Sequence, residues 1–300
     1  MGTVHWGVHG ALSAQANPFA LFLGDSWFWY PIGNIPMYVA PAFEYDIVVV
    51  GKNGSEAQDW STKHRKEIDF AFKMYAKDVR ALVLSGGGND IAGTSDFLRI
   101  LAEDCSKAKN VSDCYRDTQP EEIVGAIVGA YRQVIAKFRH YNPKAPVLAH
   151  NYDFAWPTGK GLFGPADWLK KPMDLVHVPK KLRRELLRDL LTRLREAQLQ
   201  LATETGVGKF VAIETGGTMP DDPEQVDQYW ANELHPTNKG WKLLSKKAFI
   251  PAIRKAMTPN PSLHPGPATA GVVSPACASG SIVTHRAYNT CLRGPGELER

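Results

Sequence analysis

The chain alternates short, almost wholly apolar runs with longer stretches in which apolar residues recur every three or four positions. Five runs stand out: Phe19 to Leu23, Tyr45 to Val50, Ala81 to Leu84, Pro146 to His150 and Phe210 to Ile213. Each is apolar at nearly every position, the pattern of a strand buried on both faces of a parallel sheet. Between them the period turns helical. Ile68 to Tyr75 carries apolar residues at mixed spacings of three and four. A longer helix starts at Thr118, placed to cap it while Glu121 reaches back and Pro120 occupies the first turn. Its stripe is Ile123, Val124, Ile127, Val128, Tyr131, Ile135 and Phe138. Another follows Pro179, with Leu182, Leu186, Leu187, Leu190, Leu194 and Leu201 on one face, and a last one runs from about Asn238 to Met257. This alternation predicts an α/β protein whose parallel sheet is covered by helices.

Two stretches break the rhythm. Tyr152 to Val178 is long and irregular, with Pro157, Gly159, Gly161, Gly164 and Pro165, and long ordered loops in such folds usually line a site. After Met257, Pro259, Pro261, Pro265, Pro267 and Pro275 with interspersed Gly, Ala and Ser leave little to pack. The expected organisation is one domain over 18–257 and a flexible tail over 258–300.

The 300 residues are enough to bury a substantial core without metals or disulfides. With 44% apolar and 22% charged positions, a disordered or fibrous chain is excluded. Lys and Arg total 35 against 31 Asp and Glu, and a net charge of +4 is too small to argue for a nucleic-acid partner. The cluster Lys180, Lys181, Arg183, Arg184 and Arg188 is interrupted by Glu185 and Asp189, which reads as the solvated face of a helix. No run of about eighteen apolar residues predicts a membrane span. Met1 to Phe19 has neither a basic leader nor a continuous apolar run, so a cytoplasmic location is the default and an exported mature form stays open. Cys105, Cys114, Cys277 and Cys291 lack the two-residue spacing of zinc or thioredoxin-type sites. A Cys105–Cys114 or Cys277–Cys291 bridge and free thiols are equally compatible with the sequence.

Four polar clusters follow the apolar runs. Gly24-Asp25-Ser26-Trp27 ends the first, at the position where open α/β sheets bind ligands, although Asp-Ser is also a common turn or cap. Gly51-Lys52-Asn53-Gly54-Ser55 ends the second and can point a backbone N–H into the same crevice. Gly87-Gly88-Asn89-Asp90 follows the third. It is no phosphate loop, because no Lys-Ser or Lys-Thr comes after it, and the dinucleotide glycine spacing is missing too. Asn232-Glu233-Leu234-His235-Pro236-Thr237 precedes the final helix, with Pro236 restricting His235 to an extended backbone and Thr237 placed as a cap.

Taken in order, Gly24-Asp25-Ser26, Gly54, Gly87-Gly88-Asn89-Asp90 and His235-Pro236 resemble the motifs of the SGNH hydrolases, the GDSL esterase/lipase family, over roughly Ala20 to Met257. The resemblance implies a three-layer α/β/α sandwich with a five-stranded parallel sheet of flavodoxin-like type. It also implies Ser26 as nucleophile, His235 as general base, and an oxyanion hole made by Ser26 N–H, Gly54 N–H and the Asn89 side chain. Neither a cofactor nor a metal is called for.

The chemistry is coherent. A serine hydroxyl becomes an effective nucleophile when an imidazole takes its proton during attack and later returns it to the leaving alcohol. Donors placed around the carbonyl oxygen stabilise the tetrahedral state. One position departs from the family, which usually has aspartate three residues before the histidine, where this chain has Asn232. Asn232 can orient His235 but cannot neutralise an imidazolium, so Glu233 and Asp153 are alternative carboxylates.

Trp27, Trp29, Tyr30 and Trp156 are the candidate walls of a mostly apolar pocket, with Trp168 and Trp230 nearby in sequence. The function expected is a serine esterase acting on a small-molecule ester with a short or medium acyl or aryl group. An acyltransferase or carbohydrate O-deacetylase is the alternative on the same fold, and a catalytically silent binding module is the alternative of another class. Acyl preference, physiological substrate, oligomeric state and compartment are not encoded legibly.

Overall fold

A computed structural model describes residues 1–258 of the chain, apart from positions 163 and 167. The tail expected beyond Thr258 lies outside the described residues, together with Cys277 and Cys291.

The five predicted strands form, as β2 (Pro18–Gly24), β3 (Asp46–Gly51), β4 (Ala81–Ser85), β5 (Val147–His150) and β6 (Phe210–Ile213). A sixth, β1 (Val4–Trp6), pairs with β3 at the sheet edge, so the expected five-stranded sheet has six strands in the order β1-β3-β2-β4-β5-β6. All pairings are parallel. β1 escapes a reading by apolar runs because it is three residues long, only partly buried, and contains His5. Without β1, the order is second, first, third, fourth, fifth, as in flavodoxin-like sheets. β2 and β4, at its centre, are buried at every position, which explains their continuous apolar character.

Helices flank the sheet. Gln119–Tyr141 buries the predicted stripe and packs against Lys180–Leu201, whose leucines other than Leu199 are buried. The expected capping box at Thr118 is not made. Thr118 Oγ1 instead donates to Glu122 Oε1 at 2.6 Å. The helix predicted over 68–75 begins at Arg65 and widens into a π turn at Phe72–Ala76. The last helix is capped by Thr237, whose Oγ1 accepts from Gly240 N at 3.3 Å, and continues through a π turn to Met257. Cys105 and Cys114 are buried free thiols, not a disulfide. Among the described residues, no helix is long and apolar enough to cross a membrane.

The carboxyl ends of the central strands approach closely. A Cβ on Gly51 would stand 1.8 Å from the Gly24 carbonyl oxygen, and one on Gly24 would stand 2.4 Å from the Ser85 carbonyl oxygen. Only glycine fits at either place, and the turns that follow therefore leave the sheet side by side.

Candidate active site

Ser26 is the first residue of a short helix, Ser26–Trp29, that starts directly after β2. Asp25 caps it, its Oδ1 accepting from Trp27 N at 2.9 Å. His235 sits on a compact turn closed by bonds from Ala231 N to His235 O and from Thr237 N to Tyr229 O, each 2.8 Å. The two meet: His235 Nε2 is 2.8 Å from Ser26 Oγ. Trp27 Nε1 donates to the Leu234 carbonyl at 3.2 Å, tying the turn of Ser26 to that of His235.

Asn232 Oδ1 lies 3.0 Å from His235 Nδ1 and accepts also from the backbone N–H groups of Leu234 (3.0 Å) and His235 (2.9 Å). An oxygen that faces three nitrogens can only accept, so the proton belongs on Nδ1 and the lone pair of Nε2 points at Ser26. Burial pushes His235 down to about 3, leaving the ring neutral at pH 7 with its Nε2 lone pair unprotonated. Tyr30 lies flat on it, with centroids 4.0 Å apart and planes 7° apart, and Trp168 meets its edge at 5.9 Å.

Asn89 lies on the turn after β4, where Gly87 adopts φ +106° and caps the helix Gly88–Ile91. Asn89 Nδ2 donates one hydrogen to the Ser55 carbonyl at 3.0 Å, and the amide carries a second. Ser55 is fixed in turn, its Oγ donating to Lys52 O at 2.8 Å and meeting His64 Nε2 at 3.0 Å. Gly54, φ +75°, is exposed on the same loop, one residue from Ser55. The structure thus places Ser26 and Asn89 on the wall of one pocket, and Gly54 beside Asn89's anchor rather than on that wall.

The pocket is walled by Leu187, Leu190 and Leu191 of the long helix, Ile91, Ala92, Leu169, Leu234, Trp27 and Trp230. Tyr152 and Ala155 of the irregular loop contribute too, as expected for that segment. Of the aromatic walls expected from sequence, only Trp27 is in place. Trp29 packs edge-on against Trp6 at 5.0 Å, Trp156 lies under the Arg184 guanidinium at 4.1 Å, and Tyr30 covers His235. The leucines of Lys180–Leu201 read as sheet-covering residues, and only the tertiary arrangement places three of them in the lining of the pocket that Ser26 shares.

Neither alternative carboxylate serves His235. Glu233 is fully buried, and its Oε1 accepts from Gly159 N (2.8 Å) and Lys170 N (2.9 Å) while Oε2 accepts from Leu169 N (3.0 Å). It ties the irregular loop to the histidine turn. Asp153 accepts from Phe154 N, Gly217 N and Met219 N, each at 2.7 Å.

A polar network beneath Ser26 has no counterpart in the sequence pattern. Asp25 accepts from Ser85 Oγ at 2.7 Å and from Tyr152 Oη at 2.5 Å, and Ser85 Oγ meets His150 Nε2 at 2.8 Å. Tyr152 N donates to His150 Nδ1 at 3.2 Å, so Nε2 carries the proton of a neutral ring that burial pushes down to about 3. Burial likewise raises Asp25 to about 6, against the lowering effect of its three donors. Tyr152 adopts φ +61° to make these contacts, a strained conformation for a bulky residue. The Ser, His and Tyr at the ends of β4 and β5 give no sequence signal, because single polar residues close many strands.

Residues 22–243 match the model of the GDSL-like Lipase/Acylhydrolase family. No curated protein matches the chain. Among solved structures, the extracellular lipase of Streptomyces rimosus is 16% identical, covering 80% of this chain and 100% of its own, with a TM-score of 0.49. The lipase Lip_vut3 from a goat rumen metagenome is 14% identical over 80% of this chain and 97% of its own, TM-score 0.48. Phospholipase A1 from Streptomyces albidoflavus NA297 is 14% identical over 80% and 99%, TM-score 0.45.

Proposed function

Because the chain belongs to the GDSL-like lipase/acylhydrolase family, and is therefore a hydrolase of ester bonds, we propose that it cleaves carboxylic esters through an acyl-enzyme on Ser26. The observation that carries this reading is the 2.8 Å contact between Ser26 Oγ and His235 Nε2. As Ser26 attacks the carbonyl carbon, His235 takes the hydroxyl proton, and it then delivers that proton to the departing alcohol. Water, deprotonated by the same nitrogen, releases the acid and restores the serine. Charge on the carbonyl oxygen is met by the Ser26 N–H group and by the second amide hydrogen of Asn89, both on the pocket wall, while Gly54 lies on the loop that anchors Asn89. Asn232 holds the ring in the useful tautomer without supplying charge.

An apolar acyl group of short or medium length suits the pocket. Its polar lining groups are occupied internally: Tyr152 Oη, Ser85 Oγ and Trp27 N donate to Asp25, and Asp153 accepts three backbone N–H groups. What remains toward a ligand is leucine, isoleucine and tryptophan beside Ser26 and Asn89. A sugar hydroxyl buried there would lose its partners.

The test is covalent. A serine-directed alkyl phosphonate should label the protein once, at Ser26 by peptide mapping, and abolish hydrolysis of p-nitrophenyl butyrate. Ser26→Ala should be neither labelled nor active. Full activity of that variant would end the proposal.

A further inference from the structure

A carboxylate beside a catalytic histidine offers acceptor oxygens whichever way it turns, but an amide does not. Turned over, the Asn232 side chain would set an N–H against His235 Nδ1. That arrangement would force the proton onto Nε2, where it would point at Ser26 and leave no base. The amide orientation at Asn232 therefore decides whether the pair can work. The Leu234 and His235 backbone N–H groups favour the oxygen on that side, at 3.0 and 2.9 Å. On the other side, Asn232 Nδ2 donates to Tyr30 Oη at 3.1 Å. Asn232 and Tyr30 are 3% and 5% exposed, so water offers that amide hydrogen little alternative.

We propose, resting on the Ser26–His235 reading above, that Tyr30 is a positioning residue. Its phenol oxygen takes the amide hydrogen of Asn232 and thereby keeps the Asn232 carbonyl on His235 Nδ1, so that asparagine does the orienting work of a carboxylate. The sequence places Tyr30 among candidate pocket walls, whereas the structure lays it face to face on the imidazole, 4.0 Å between centroids. Ring and hydroxyl thus act on two members of one assembly: the ring fixes the plane of His235 and the oxygen fixes the orientation of Asn232. Without that oxygen the buried amide hydrogen is unpaired, and only the Leu234 and His235 N–H groups are left to set the amide against a rotation that would pair that hydrogen with Nδ1 and carry Oδ1 away from it.

Tyr30→Phe isolates the oxygen, since it keeps the ring and the stack. Two readouts decide the matter. The first is the tautomer of His235 by 15N NMR at pH 7, where the ring is uncharged. The wild type should carry its proton on Nδ1, and Tyr30→Phe should give a mixture of tautomers. The second is kcat on p-nitrophenyl acetate, which Tyr30→Phe should lower by about tenfold or more. In the Asn232→Asp background the same substitution should leave the proton on Nδ1 and change kcat by less than about threefold, because a carboxylate has no wrong face. An Nε2–H ring in the wild type, an unchanged tautomer in Tyr30→Phe, or equal loss of kcat in both backgrounds would overturn the assignment. A wild type that hydrolyses no ester would instead remove the esterase reading, and the NMR experiment would still decide the role of Tyr30.

Discussion

Ser26 and His235 stand 209 positions apart in the chain and 2.8 Å apart in space. Separate devices hold each: Asp25 caps the helix that begins at Ser26, and Asn232 closes the turn of His235 with two backbone bonds. The Trp27 indole joins the two turns through the Leu234 carbonyl. The pair is therefore preorganised, with its geometry fixed before a substrate arrives.

Asn89 should matter for the transition state more than for binding. If Asn89 donates to the carbonyl oxygen as proposed, Asn89→Ala should lower kcat about 10²–10³-fold with KM changed little. Steady-state kinetics on a p-nitrophenyl ester separate the two constants. A rise in KM at constant kcat would place Asn89 in uniform substrate binding instead.

The pH profile should carry the mark of a buried base without a carboxylate beside it. Desolvation lowers His235 to about 3, so the ring stays neutral as pH falls below the ordinary histidine value, and ester hydrolysis should persist there. A histidine of pKa 6.5 would retain roughly 3% of its neutral form at pH 5. The log of kcat/KM should therefore be nearly flat from pH 7 to 5, with its acid limb well below 6.5. Asn232→Asp places a negative charge against Nδ1, favours the imidazolium, and should move that limb upward while preserving or raising kcat at pH 8. A collapse of turnover in a folded Asn232→Asp protein would remove Asn232 from the orienting role.

Glu233 is a structural anchor despite its place next to His235. Glu233→Ala strips acceptors from three backbone N–H groups of the loop that walls the pocket. At about 1–3 kcal/mol for each buried group left unpaired, the loss of stability should reach about 3 kcal/mol or more. Urea or thermal unfolding measures it. An unchanged midpoint with lost activity would return Glu233 to the catalytic role that sequence position suggests.

Continuous apolar runs made β2 to β6 legible, because strands buried on both faces have no polar positions to confuse the pattern. β1 was not, since its three residues are stabilised by pairing with Ile47–Val49 and not by their own composition. Ser26, Asn89 and His235 were visible as polar residues following apolar runs in a recurring order. Tyr30, Trp29 and Trp156 were not placed correctly, because aromatic side chains near a site in sequence are free to face its pocket, its histidine or an arginine outside it.

By itself, the sequence determined which segments form the sheet and which short motifs end its strands, since hydrophobic period and turn chemistry are local properties. Tertiary structure alone decided which oxygen orients His235, which carboxylates are spent on backbone N–H groups, and that three leucines of Lys180–Leu201 line the pocket beside Ser26. Those outcomes depend on directions of side chains from distant elements, and direction is set only when the layers pack together.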